Sequence, residues 1–246
     1  MRDFPAGRLA VWATAWLTGR TSYDEALDAV AGQETAHRVV GVPGADGAVP
    51  LGVALSALRT LGELRLRLVL PVPGDTRGLP AVPGLVATAL SAGQAAVGTR
   101  VALVPEEIGA EVLSWTAVDL VGAPPVAPPV EGTLRSVSGQ LDLAVGDAAR
   151  TLAGLDLARW NPEVPTLLAG LARTTHAPGL PEDHDQLAAS VLGRAQRLSR
   201  VLDLAMADAP GAAVNTTQAA RRDAALRPLA DAVREATTAA YNWVPR

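Results

Sequence analysis

The sequence predicts an α/β fold: a small, mainly parallel sheet of about four strands, the last one antiparallel, with flanking helices and a C-terminal layer of about four helices. Three observations lead there. Short β-branched runs alternate with helical ones through residues 1–121, two related Val-Pro-Gly segments at 42–50 and 72–80 close such runs thirty residues apart, and the chain beyond a proline-rich stretch has helical periodicity throughout.

Leu9, Trp12, Ala13, Trp16 and Leu17 recur at three- and four-residue spacing, predicting a helix that buries both tryptophans. Ser22 and Glu25 form a Ser-x-x-Glu cap for a second helix through Ala26, Leu27 and Val30, stopped by Gly32. Residues 37–42, His-Arg-Val-Val-Gly-Val, read as a strand ended by Pro43-Gly44, with His37 at the surface or satisfied internally. A buried helix follows from Leu51 to near Gly62. The alternation of Leu64, Leu66, Leu68, Leu70 and Val72 with Arg65 and Arg67 then predicts a second strand. Strand, loop, helix and strand in about thirty residues has the size of a right-handed βαβ unit. Leu85, Val86, Ala89 and Leu90 predict a helix stopped at Gly93, and residues 95–104 a third strand closing on Val104-Pro105. A turn through Glu106 and Glu107 leads to a fourth strand at 111–120, expected antiparallel to the third and towards an edge.

Residues 122–132, with four prolines, predict an extended polyproline connector between an α/β part (1–121) and a helical part (133–246) docked on it as one compact unit. Leu134, Val137, Leu141, Val145, Ala148, Leu152 and Leu155 form the stripe of a first C-terminal helix. Asn161-Pro162-Glu163 opens a second. Leu187 to Ala205 supply the apolar face of a third, expected antiparallel to the first. Asn215 and Gln218 cap a last helix that Pro228 is expected to bend, because it removes a backbone donor mid-helix.

With 246 residues and 49% apolar side chains the chain can fill a substantial core. No apolar run approaches the ~20 residues of a membrane helix, and the acidic and proline residues around 9–17 do not suit an export signal, so a cytoplasmic protein without membrane association is expected. The lack of cysteine excludes a disulfide framework and thiolate metal sites. All 21 basic residues are arginine, a bias that a high-GC bacterial genome imposes. Neither part has the basic excess of a nucleic-acid binder, because 9 arginines face 13 acids up to Glu131 and 12 face 12 afterwards.

In a parallel sheet, ligands bind at the carboxyl ends of the strands. That rim would receive Asp46 from the first loop, Asp75, Thr76 and Arg77 from the second, and Glu106 with Glu107 from the third. Glycines at 41, 44, 47, 74, 78 and 84 would let backbone amides approach an anion, and the carboxylates could hold a divalent cation bridging to it. The competing reading is that Pro-Gly turns the chain and the aspartates satisfy turn amides. No dinucleotide or P-loop fingerprint occurs, and the chain has no lysine. Asp183-His184-Asp185 with His176 lacks a recognised ligand spacing, so no metal site and no cofactor are expected. Arg194, Arg197 and Arg200 read as a solvated helix face.

Two functional classes follow. The leading one is a non-enzymatic interaction or regulatory protein that forms a homodimer through its long apolar stripes. The alternative is small-molecule binding, phosphate- or metal-linked, with hydrolase or transferase chemistry at the rim.

Overall fold

A computed structural model describes residues 4–32, 36–108, 112–130, 132–154, 179–207 and 216–244. Among them the order is α1 (Pro5–Leu17), α2 (Tyr23–Ala31), β1 (Ala36–Val40), β2 (Ala48–Pro50), α3 (Leu51–Thr60), β3 (Arg67–Val69), α4 (Leu85–Ala92), β4 (Ala95–Val97), β5 (Val101–Ile108), β6 (Val112–Asp119), α5 (Leu134–Gly154), α6 (Gln186–Ala207) and α7 (Thr216–Tyr241). These residues fall into two compact units: the sheet with α1–α4 and the segment 179–184, and the helices α5–α7. No described helix is long and apolar enough to cross a membrane.

The mixed α/β class holds, but the sheet differs from the expected one. It has six strands in the order β2-β1-β6-β5-β4-β3. Only β1 and β6 run parallel; the four other pairs are antiparallel. The β1–β2 and β4–β5 connections are local hairpins, which close at smaller entropic cost than long loops, while β3 and β4 pair antiparallel through the longer connection that carries α4. After β1, Gly41, Gly44 and Gly47 all take positive φ, and the chain turns back so that β2 pairs with β1. A Cβ on Gly41 would stand 2.5 Å from the Ala117 carbonyl oxygen of β6, so this turn requires glycine. The run expected as one third strand is two, β4 and β5, folded at Gly98-Thr99-Arg100. The last strand, β6, does pair antiparallel with β5, yet it lies inside the sheet between β5 and β1, and Trp115 on it is fully buried.

Helix α1 begins with proline, which needs no helical donor there, and buries Trp12 and Trp16 as the spacing predicts. It lies across β3, β4 and β5. Its buried Thr14 hydroxyl donates to the Leu66 carbonyl (3.2 Å) and accepts from the Leu66 amide (3.0 Å), so one side chain satisfies both backbone groups ahead of β3. Arg59 of α3 places its guanidinium 4.0 Å from the Trp16 ring centre and donates to the Trp16 carbonyl at 3.2 Å. Ser22 caps α2 by accepting from the Glu25 amide at 3.1 Å, as the Ser-x-x-Glu pattern predicts. Trp12 Nε1 donates to the Gly179 carbonyl at 2.7 Å, and Arg20 pairs with Asp183 at 2.9 Å, tying the segment 179–184 to α1.

The opposite face of the sheet is covered by α4, whose Leu85 and Ala89 pack with Val69, Ala95, Val97, Ala102 and Val104. Gly93 ends α4 in the left-handed conformation, as expected of a helix stop.

Glu63, just after α3, is 2% exposed. Its carboxylate accepts from the Thr99 amide (3.0 Å), the Thr99 hydroxyl (2.9 Å), the Val101 amide (3.0 Å) and the Arg100 amide, which together form the β4–β5 turn. Gly98 is required beside it, since a Cβ there would meet the Glu63 carboxyl carbon at 2.6 Å.

In the helical unit, α7 packs along both α5 and α6, whereas α5 and α6 touch each other little. The first and third C-terminal helices are expected to pair directly; α7 takes that place, with Leu226, Leu229, Val233, Ala236 and Ala240 buried along it. Thr133 and Ser136 exchange side-chain and backbone hydrogen bonds at the start of α5, and Asp185 caps α6 by accepting from the Ala188 amide at 3.0 Å. The helix expected from Asn161 lies outside the described residues. Pro228 stands inside α7 without ending it.

Replacing Glu63 by alanine is expected to lower the unfolding free energy by about 3 kcal/mol, because buried turn donors lose a charged acceptor. A urea titration with an unchanged midpoint would show that the turn holds without it.

Candidate functional site

The strand order separates the residues expected on one rim. Asp46 is exposed in the β1–β2 loop, and Asp75 follows β3. Those strands lie four spacings apart, about 19 Å across the sheet. They also run in opposite directions, as the pairings through β6, β5 and β4 require, so their carboxyl ends point to opposite rims.

Around Asp75 the chain forms a tight turn. The Val72 and Asp75 backbones exchange hydrogen bonds of 3.0 and 2.9 Å, with Gly74 at φ 88°, the geometry that a Pro-Gly pair favours. The Asp75 carboxylate accepts from the Arg77 amide (3.2 Å), Arg77 Nε (3.0 Å) and the Arg77 terminal nitrogen (2.8 Å). Thr76 is exposed and its carbonyl accepts from the Leu79 amide. Gly78 holds a positive φ where a Cβ would stand 2.8 Å from Pro129, so the proline-rich segment packs over this loop. Aspartate and arginine here bond each other within the turn.

Glu106 and Glu107 are instead brought to a cleft of about 520 Å³. They lie within β5, not in a turn, and Val104-Pro105 is mid-strand. Val104 packs with α4, and side chains alternate along a strand, so Glu106 extends on the α4 face and Glu107 on the other. The pairing with β6 follows that division, with Thr116 opposite Val104 on the α4 face and Leu113 opposite Glu107 on the other; Thr88, Ser91 and Ala92 of α4 and Pro5 of α1 complete the lining. Gln94 lies between them and its Oε1 accepts from the Ala6 amide at 3.0 Å, joining the start of α1 to the start of β4.

The cleft reaches both faces because the sheet stops between them. The β4–β5 ladder pairs Ala96 with Leu103 and Val97 with Ala102, and no described strand continues it beside residues 105–108. Gly98 N–H donates to the Val101 carbonyl at 2.9 Å, so Val101 directs its backbone towards β4, and by alternation so do Leu103, Pro105 and Glu107. Pro105 thus offers a carbonyl and Glu107 an amide and a carbonyl to the open edge. A proline at 105 removes no bond to β6, which explains its presence in an otherwise regular strand.

Other candidates are engaged elsewhere. His37 Nδ1 accepts from Trp115 Nε1 at 3.2 Å, and its Nε2 lies 3.1 Å from the Ala31 carbonyl, which places the imidazole proton on Nε2. Asp183 pairs with Arg20, Asp185 caps α6, and Arg194 pairs with Asp142. Among the described residues, no group of three or more histidine or carboxylate side chains could hold a metal. Sequence reasoning missed Glu63, Thr14 and Gln94. Thr14 had a visible signal, a hydroxyl on an apolar helix face; Glu63 had none.

The fold and site define a two-unit α/β protein with a cleft at an open sheet edge. The chain belongs to the Rv1486c-like protein family: residues 6–131 match its N-terminal domain and residues 135–238 its C-terminal domain. It is 30% identical to the uncharacterized protein Rv1486c of Mycobacterium tuberculosis (strain ATCC 25618 / H37Rv), over 98% of this chain and 96% of that one. It is 33% identical to the uncharacterized protein MAV321 of Mycobacterium avium over 62% of each chain. The uncharacterized protein ML1804 of Mycobacterium leprae is 28% identical over 98% and 97% of the two chains. No solved structure matches.

Substituting alanine for Asp75 is expected to cost only about 0.5–1 kcal/mol, since the Arg77 side chain of the pair it breaks is more than half exposed. Thermal unfolding measures this, and a loss several times larger would mean that the turn anchors more than itself.

Proposed function

We propose that this is a cytoplasmic, non-enzymatic interaction protein whose partner binds in the cleft along β5. The observation that carries the reading is the cleft itself, formed where the sheet ends and both faces remain accessible, with Glu106 and Glu107 one on each side. Hydrogen-bonding groups dominate the polar part of the wall, as suits recognition.

Self-association belongs to the same reading. Leu143, 71% exposed on α5, is an apolar side chain that a contact between helical units would cover. Light scattering at micromolar concentration is expected to give the mass of two chains, and a single-chain mass removes this part. Small-molecule binding is the second reading, favoured by a volume inside the range of roughly 300–1,000 Å³ common to such sites.

A photo-crosslinking amino acid placed at Ser91, in the cleft wall, is expected to capture a discrete partner in the cell. The same group at Ser56, exposed on α3, is the control. Equal capture at both positions, or none at Ser91, rejects the cleft as the contact site.

A further inference from the structure

The open edge in the cleft has a length, a direction and a charge pattern, and these specify an occupant. Residues 105–108 continue β5 below the point where β4 begins, so the position that a longer β4 would fill is unoccupied by any described strand. The backbone groups directed there, the Pro105 carbonyl and the Glu107 amide and carbonyl, are those a neighbouring strand would bond. Walls stand on both sides, α4 with Thr88 and Ser91 on one face and Pro5 on the other. A slot floored by the exposed Glu107 edge of β5, next to Gln94 and the buried Pro105, admits an extended backbone better than a compact molecule.

The two glutamates decide which extended backbone. Successive side chains of an added strand point to opposite faces, and so do Glu106 and Glu107. Two consecutive basic residues in the added strand therefore meet one carboxylate each. A second copy of this chain placed edge to edge would bring the same glutamates together, and like charges across paired strands destabilise the pairing.

We infer that the cleft accepts an extended peptide segment with two adjacent basic residues, added as a strand to the open edge of β5. This deepens the interaction-protein reading and rests on it, because it names the chemistry of the partner at the same site. Main-chain bonds to Pro105 and Glu107 provide the affinity common to all sequences, and the paired carboxylates select the basic pair.

The test uses the full-length protein and three capped peptides, Val-Arg-Arg-Val, Val-Gln-Gln-Val and Val-Glu-Glu-Val, with binding followed by amide NMR shifts. The arginine peptide is expected to bind about tenfold more tightly than the glutamine one, to weaken with added salt, and to protect the Glu107 amide from exchange. The double variant Glu106→Gln with Glu107→Gln is expected to remove that preference while leaving the fold unchanged, since both side chains are exposed. Glu107→Pro deletes the edge donor without deleting a bond to β6 and is expected to weaken all binding.

Equal binding of the three peptides, shifts confined to another surface, or equal binding of free arginine amide would each overturn the inference. The last would mark a small-cation site. Capture at Ser91 in the cell together with no peptide binding rejects strand addition alone; no capture at Ser91 rejects the underlying reading.

Discussion

The buried Glu63 carboxylate is the interaction on which the sheet's layout depends. Strand β4 has only three residues, and its turn into β5 directs amides inwards where no strand receives them. Burying a carboxylate is unfavourable unless hydrogen bonds replace its hydration, and burying bare amides is unfavourable for the same reason. Each cost is removed by the other. Because Glu63 follows α3 directly, the bond also fixes where the chain enters β3, and Thr14 of α1 secures the next step at Leu66. The three strands at one end of the sheet, β3, β4 and β5, are thereby held by two polar side chains from helices and loops outside it.

That same restriction leaves β5 longer than its neighbour. With β4 starting at Ala95, the lower half of β5 has β6 on one side and a cleft on the other. An exposed strand edge is a hazard for aggregation, and proteins protect such edges with proline, charge and short length. Pro105, Glu106 and Glu107 supply the first two in succession. Protection against self-pairing and selectivity for a basic partner are the same electrostatics viewed from two sides.

The two Val-Pro-Gly segments illustrate how little a local motif says about its place. Near Asp46 the glycines turn β1 back on itself into β2. Near Asp75 the proline and glycine close a four-residue turn whose aspartate holds Arg77. Each segment is a turn, as its composition requires, but they stand at opposite edges of the sheet and are not brought together.

Local physics made much of the first unit legible: the tryptophan face of α1, the Ser22 cap, the Gly93 stop and the antiparallel pairing of the last two strands all follow from spacing and backbone preference within a few residues. Two of the expected site residues, Glu106 and Glu107, do meet at a cleft, though for a reason the chain order could not disclose. Strand order, the split at Gly98 and the central place of β6 depend on contacts between residues far apart in sequence, such as Glu63 with Thr99 and Gly41 with Ala117. Hydrophobic periodicity records which residues are buried, not which strand lies beside which. The sequence by itself therefore determined the helices of the first unit, most of the strands and their buried faces; the tertiary structure alone decided the added strand β2, the split of β4 from β5 and the neighbours, and with them the open edge.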